Sequence, residues 1–126
     1  MKEVALKYLE YLSNGDLDGI LNLFTVEAVI ISPVYGKKKH HIFYKELFAD
    51  TGNSRLELQD IFENKLNLTS ALYFTYFWTL RNGKQVKFDV VDILKFDANM
   101  KIKELKIIYD ASETKVLIEQ QSKNLN

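Results

Sequence analysis

A single carboxyl group interrupts an apolar row in the segment KFDVVDILKFD. The segment alternates as a β-strand does, and side chains on a strand point to opposite faces in turn. Asp92 therefore shares its face with Phe88, Val90, Leu94 and Phe96. A carboxyl group in such surroundings loses its hydration, which raises its pKa and favours the protonated form. Asp92 is thus interpreted either as a structural buried acid or as a hydrogen-bond donor that faces a cavity.

The Asn82-Gly83 pair before this strand is typical of a two-residue β-hairpin turn. Such a turn pairs Arg81 with Lys84, and the resulting register places Asp92 opposite Tyr73. The face around Asp92 is then apolar with a few polar groups, as in a ligand pocket. The residues predicted to line this pocket are Leu56, Leu58, Tyr73, Thr75, Phe77, Phe88, Val90 and Tyr109.

The other face of the same hairpin is also apolar, and it carries Phe74, Tyr76 and Trp78. Three short helices cannot cover both sides of such a sheet in a chain of 126 residues. An exposed apolar face of this kind usually marks an interface. We therefore predict a twofold homodimer through this face. The alternative is that a long loop or the C-terminal tail covers it.

Three helices are predicted in the N-terminal half of the chain. Apolar residues recur at helical spacing over residues 4–12, and Asn14-Gly15 is a helix-ending pair. Asp16 is a good N-cap for a second, short helix over residues 17–24. A third helix is predicted over residues 42–50.

The rest of the chain is predicted to be β-structure. A brief strand, AVIISP, is stopped by Pro33. Helices first and strands afterwards indicate one α+β domain over residues 1–126, with the helices against one face of a curved antiparallel sheet. The polar tail from Ser112 is predicted to be frayed. The other predicted strands cover residues 55–62, 71–81, 87–97 and 102–110.

The composition excludes several functional classes. Seventeen basic and seventeen acidic residues cancel, whereas a nucleic-acid binder carries a clustered excess of positive charge. The basic segment GKKKHH is interpreted as a solvated loop rather than a phosphate or metal site. The chain has no cysteine, so neither disulfides nor thiolate sites can form. Without a signal peptide or a transmembrane span, we expect a cytoplasmic protein with no metal, cofactor, nucleic-acid or membrane partner.

Three short patterns together resemble the nuclear-transport-factor-two-like superfamily. They are the Y-x6-GD pattern that ends at Asp16, the strand end at Pro33, and "DVVDILKFD…KI…IIYD" near the C-terminus. This superfamily includes SnoaL-like polyketide cyclases, scytalone dehydratases and ketosteroid isomerases, and the chain is most similar to the last of these, up to about Tyr109. The resemblance implies a cone of three helices around a strongly curved sheet, with an apolar cavity inside, and a dimer packed through the sheet.

The resemblance also implies roles for individual residues. In ketosteroid isomerase a tyrosine and a protonated aspartic acid form the oxyanion hole, and a second aspartate moves the proton. The two donors correspond to Tyr8 and Asp92, and the base corresponds to Ser32. A serine hydroxyl cannot accept a proton as a carboxylate does, so the implied oxyanion hole lacks its base. His40 and His41 are alternative bases by their chemistry.

These observations predict a small-molecule-binding protein of the SnoaL-like or ketosteroid-isomerase-like type. Its ligand would be apolar or aromatic, steroid- or polyketide-like, with a carbonyl or phenolic oxygen. Catalysis would be isomerisation, cyclisation or dehydration, and most of the rate acceleration would come from stabilisation of an oxyanion. The alternative is a non-catalytic module that only binds a ligand, or that dimerises to hold a partner.

Overall fold

The computed structural model describes residues 1–123. It confirms the α+β class. No helix in the described part of the chain is long and apolar enough to cross a membrane. The helices are α1 Lys2–Asn14, α2 Leu17–Leu21, α3 His40–Ala49 and α4 Ser112–Lys123. The strands are β1 Phe24–Ser32, β2 Gly36–Lys39, β3 Thr51–Asn64, β4 Thr69–Leu80, β5 Gln85–Phe96 and β6 Ile102–Ile108.

The six strands form one curved, unclosed sheet in the order β2-β1-β6-β5-β4-β3. All neighbouring strands are antiparallel except β1 and β6, which run parallel. The sheet is therefore mixed, and the fully antiparallel prediction is wrong at this pair. The parallel pair joins two distant parts of the chain, and it begins where the Ile102 amide donates to the Leu23 carbonyl at 2.9 Å.

Local sequence signals fix the position of α1 and α2. The buried side chains of α1 are Ala5, Tyr8, Leu9 and Leu12, which lie on one face at helical spacing. The helix ends at Gly15, which adopts a left-handed φ of 65° as helix-ending glycines do. With α1 in this position, Tyr8 faces the concave side of the sheet and belongs to the hydrophobic core.

Asp16 begins α2 as predicted, because its side chain accepts a hydrogen bond from the Gly19 amide at 2.9 Å. The helix is shorter than predicted, since it ends at Leu21 and Phe24 already belongs to β1. The basic segment is not a loop, because Gly36–Lys39 forms β2 and His40 begins α3.

The β4–β5 hairpin has a three-residue loop instead of the predicted two-residue turn. The Leu80 amide donates to the Lys84 carbonyl at 2.8 Å, and the Gly83 amide donates to the Leu80 carbonyl at 2.9 Å. Gly83 takes a left-handed φ of 88°, as in hairpins where a type I turn is followed by a glycine bulge. Asp92 is consequently opposite Leu72 and not Tyr73.

This shift of one residue exchanges the two faces of β4. Phe74, Tyr76 and Trp78 point to the helices and are only 1%, 7% and 3% exposed. The prediction that this face is free for a dimer partner is therefore wrong, because helices of the same chain cover it. Homodimerisation itself stays a prediction, and it would need another surface.

The tail is not frayed in the described residues, because Ser112–Lys123 forms α4. Gln121 is buried, and its side-chain oxygen accepts the Asn82 amide at 2.8 Å while its nitrogen donates to the Asp50 carbonyl at 3.1 Å. The helix is thus attached to the sheet by a polar side chain. A search for apolar periodicity does not detect such an attachment.

We expect Gln121→Ala to lower the free energy of unfolding by about 1 kcal/mol, the usual contribution of such hydrogen bonds. Gln120→Ala is the matched control, because Gln120 is the same residue type on the same helix and is exposed. The measurement is urea unfolding followed by circular dichroism. Equal stabilities of the two variants would contradict the docking of α4.

Candidate functional site

A cavity of about 40 Å³ lies between the helices and the concave face of the sheet. Its wall is mainly aromatic, with Phe43, Phe74, Trp78 and Phe88 among the lining side chains. The cavity opens to solvent on the side where its lining residues are partly exposed. These residues are Val34, Tyr35, Phe88, Ile107 and Tyr109. The polar side chains at the wall are Tyr8, Ser32, Tyr35, Tyr76, Asp92 and Tyr109.

Asp92 is 1% exposed and lines the cavity. Burial raises its pKa well above the ordinary value, because a charged carboxylate is poorly solvated there. Burial therefore favours the neutral, protonated form of this acid. Its Oδ1 atom is buried and has no hydrogen-bond partner within residues 1–123. Since an unpaired buried polar atom is costly, a group that enters the cavity with a suitable polar atom would be stabilised at this position.

Tyr8 lines the same cavity, and its hydroxyl is 2.8 Å from the hydroxyl of Tyr44. Burial raises the pKa of the Tyr8 hydroxyl, and the neighbouring Tyr44 and Asp92 raise it further. Tyr8 is thus a neutral hydroxyl. When Tyr44 donates to it, its own proton is free to point into the cavity.

Sequence reasoning missed Tyr44, which is fully buried in α3. It lies in the run HIFYKELF, where an aromatic residue on an amphipathic helix gives no sign of a role beyond packing. Only the hydroxyl contact with Tyr8 distinguishes it from a core residue. Tyr76 was assigned to the wrong face by the register, and its hydroxyl lies 2.8 Å from that of Ser54.

Ser32 lines the cavity at the end of β1 and is 8% exposed. Its Oγ accepts a hydrogen bond from the Tyr35 amide at 2.9 Å, which closes the turn that contains Pro33. Serine and aspartate can both close such a turn through a side-chain oxygen. At this position, to which the resemblance assigns a proton acceptor, the structure has a neutral hydroxyl that closes a turn.

The two histidines do not replace this acceptor at the cavity wall. A ring nitrogen of His40 lies 3.3 Å from the Ala28 carbonyl, and the ring stacks on Phe24. Burial lowers the pKa of His40. His41 is exposed, and neither histidine lines the cavity. Within residues 1–123, no three histidine, aspartate or glutamate side chains come together as a metal site would require.

The structure sorts the predicted pocket residues into two groups. Phe88, Val90 and Tyr109 line the cavity. Five others do not, and the prediction was wrong for them. Tyr73, Thr75 and Phe77 lie on the outer face because of the register of β4. Leu56 and Leu58 belong to the edge strand β3, beyond the cavity wall, and Leu58 is 44% exposed.

Several solved structures resemble this fold. SalBIII, an epoxide hydrolase/cyclase-like enzyme with a role in pyran ring formation in the polyether salinomycin, is 21% identical, with 86% of this chain and 88% of that chain covered and a TM-score of 0.75. TerC, co-crystallised with polyporic acid, is 22% identical, with coverages of 93% and 96% and a TM-score of 0.77. An NTF2-like protein of unknown function from Burkholderia pseudomallei is 19% identical, with coverages of 93% and 95% and a TM-score of 0.80. At these identities the similarity shows the fold alone.

A comparison with curated protein sequences gives no match. A family model described as a SnoaL-like domain matches residues 5–105. The matched part is most of the chain and contains Tyr8, Ser32 and Asp92. It confirms the resemblance to the nuclear-transport-factor-two-like superfamily, while the closer resemblance to ketosteroid isomerase stays a prediction. The chain belongs to the SnoaL-like domain family of this superfamily.

Proposed function

We propose that this protein binds a small apolar or aromatic molecule through an oxygen atom of that molecule. The observation that carries the proposal is Asp92, a buried acid that lines an aromatic cavity and has an unpaired carboxyl oxygen among the described residues. Its O–H and that of Tyr8 would both donate to a carbonyl or phenolic oxygen of the ligand. Membership of the SnoaL-like family and the similarity to TerC, a protein crystallised with polyporic acid, support a ligand of this class.

The size of the cavity limits what can enter. At about 40 Å³ it has room for a few water molecules, whereas sites for drug-sized ligands measure roughly 300–1,000 Å³. The rings of Phe88 and Tyr109 stack at a centroid distance of 4.1 Å on the partly exposed side. These two rings would have to turn for any ring-containing ligand, because even one six-membered ring is larger than a few water molecules, and a steroid would need the largest movement. A compact ring is the better first ligand.

For chemistry, we propose isomerisation, cyclisation or dehydration with stabilisation of a developing negative oxygen by Asp92 and Tyr8. SalBIII, which resembles this chain in fold, is an epoxide hydrolase/cyclase-like enzyme, and this supports a reaction of that class. A second candidate is binding without catalysis, which Ser32 favours because it cannot move a proton as the implied aspartate would.

Cyclohexanone, a compact apolar ketone, is expected to bind, and Asp92→Asn is expected to weaken its affinity by roughly 3- to 10-fold. The amide is a poorer donor than the carboxylic O–H. The measurement is a ligand-observed NMR titration at neutral pH. Asp89→Asn is the matched control, because Asp89 lies on the same strand, points to the outer face and accepts from Thr75 at 2.7 Å. No binding to the unmodified protein, or equal affinities of the two variants, would contradict the proposal.

The proposed role also requires Asp92 to hold its proton in the folded state, which gives a pH prediction. An aspartate in the unfolded chain ionises near pH ~4, while burial raises the pKa of Asp92 in the fold. The unfolded state then binds fewer protons, so this residue makes the free energy of unfolding fall as the pH rises. The fall ends once the pH has passed the raised pKa of the folded state. Below pH ~4 the effect is absent.

Asp92→Asn removes this effect. The stability of the variant relative to the unmodified protein should therefore rise by about 1.4 kcal/mol per pH unit above pH ~4. Urea unfolding at four pH values between 4 and 7 measures the difference. Asp89→Asn, the same replacement on the outer face of the same strand, serves again as the control. A pH-independent difference for Asp92→Asn would mean that the carboxyl group ionises in the fold.

A further inference from the structure

Tyr35 connects the cavity to a second carboxyl group. Its ring lines the cavity together with Tyr8 and Asp92. Its hydroxyl donates to Asp50 Oδ2 at 2.6 Å, a length typical of strong O–H···O⁻ hydrogen bonds. Among the cavity-lining side chains of residues 1–123, Tyr35 is the one hydrogen-bonded to a carboxyl group.

Asp50 is held in place by its own backbone. It is the C-cap of α3, and its carbonyl accepts the Arg81 amide at 2.9 Å and the Gln121 side chain at 3.1 Å. Its side chain is 19% exposed and lies 3.9 Å from an Arg81 guanidinium nitrogen. The carboxyl group therefore contacts solvent on one side and, on the other, the hydroxyl of Tyr35, a residue that lines the cavity.

We propose that Tyr35 and Asp50 form a proton relay that accepts a proton from the bound ligand, in place of the base that is absent at Ser32. This inference rests on the proposed function, because it needs a ligand whose oxygen lies at Asp92 and Tyr8. For a ketone, the C–H bond next to the carbonyl breaks, and its electrons form the enolate. That proton passes to the Tyr35 oxygen, and the Tyr35 proton passes to Asp50 Oδ2. The negative charge moves from Asp50 to the ligand oxygen, with no change of oxidation state.

The properties of Tyr35 fit a relay better than a base that acts alone. Burial raises the pKa of its hydroxyl, and the hydrogen bond to Asp50 raises it further, so the phenolate does not form by itself. The oxygen can take up a proton only while it gives one to Asp50.

Ser32 is a positioning residue for Tyr35, because its Oγ accepts a hydrogen bond from the Tyr35 amide at 2.9 Å. Phe43 supports the ring by an edge contact with a centroid distance of 5.6 Å.

The test uses the full chain and the exchange of the α-hydrogens of cyclohexanone in D₂O, followed by ¹H NMR. The unmodified protein should accelerate the exchange above the rate in buffer. Asp50→Asn keeps an acceptor for the Tyr35 hydroxyl but cannot take up a proton. It should lower the catalysed rate by about 100-fold or more while the affinity for cyclohexanone stays within about twofold. Tyr35→Phe should lower the rate similarly.

Tyr73→Phe is the matched control, because it removes a tyrosine hydroxyl from the outer face of the sheet and should leave the exchange rate unchanged. Melting temperatures near that of the unmodified protein establish that each variant is folded. Exchange at the unmodified rate in a folded Asp50→Asn would overturn the relay. Binding of cyclohexanone without any acceleration would overturn the relay and leave the proposed binding of a small molecule standing. Absence of binding would overturn both.

Discussion

The loop between β4 and β5 determines which side chains face the helices. Because Gly83 adopts a left-handed φ of 88° and the loop has three residues, Asp92 pairs with Leu72. A two-residue turn would have shifted β4 by one position and moved Tyr76 and Trp78 to the outer face. The aromatic wall of the cavity would then be absent, and Asp92 would face different neighbours. The geometry of the candidate site therefore depends on the conformation of one glycine that does not itself line the cavity.

Asp92 lowers the stability of the fold that surrounds it. A buried polar atom without a partner costs about 1–3 kcal/mol, and Oδ1 of Asp92 is such an atom within the described residues. Leucine would fill the same space without this cost. Neither Tyr8 nor Tyr44 donates a hydrogen bond to Oδ1. A purely structural role for Asp92 therefore does not explain why an acid stands at this position. A ligand oxygen in the cavity would use the donor that the fold leaves unused.

Local signals made part of this structure predictable. The Asn14-Gly15-Asp16 sequence fixed the end of α1 and the start of α2, because a left-handed C-cap and a side-chain N-cap act within a few residues. The hairpin register was missed because an Asn-Gly pair suits both a two-residue turn and a three-residue loop with a glycine bulge. The helix α4 was missed because the polar Gln121 attaches it. The contacts of Tyr8 with Tyr44 and of Tyr35 with Asp50 join distant segments, and no local pattern specifies them.

The two carboxyl groups near the cavity lie in opposite environments, and this difference suggests a division of roles. Asp92 is buried among aromatic rings, and this burial raises its pKa and favours the protonated form, which can donate to a ligand oxygen but cannot accept a proton. Asp50 contacts solvent and lies near Arg81, so a proton that reaches it can leave to water. Tyr35 lies between the Asp50 carboxyl group and the apolar cavity. Its hydroxyl is hydrogen-bonded to Asp50, so a proton could pass between the cavity and Asp50 through Tyr35. A cavity of this kind can exchange protons with solvent through Tyr35 and Asp50, even though the last residue of β1, to which the resemblance assigns the base, is a serine.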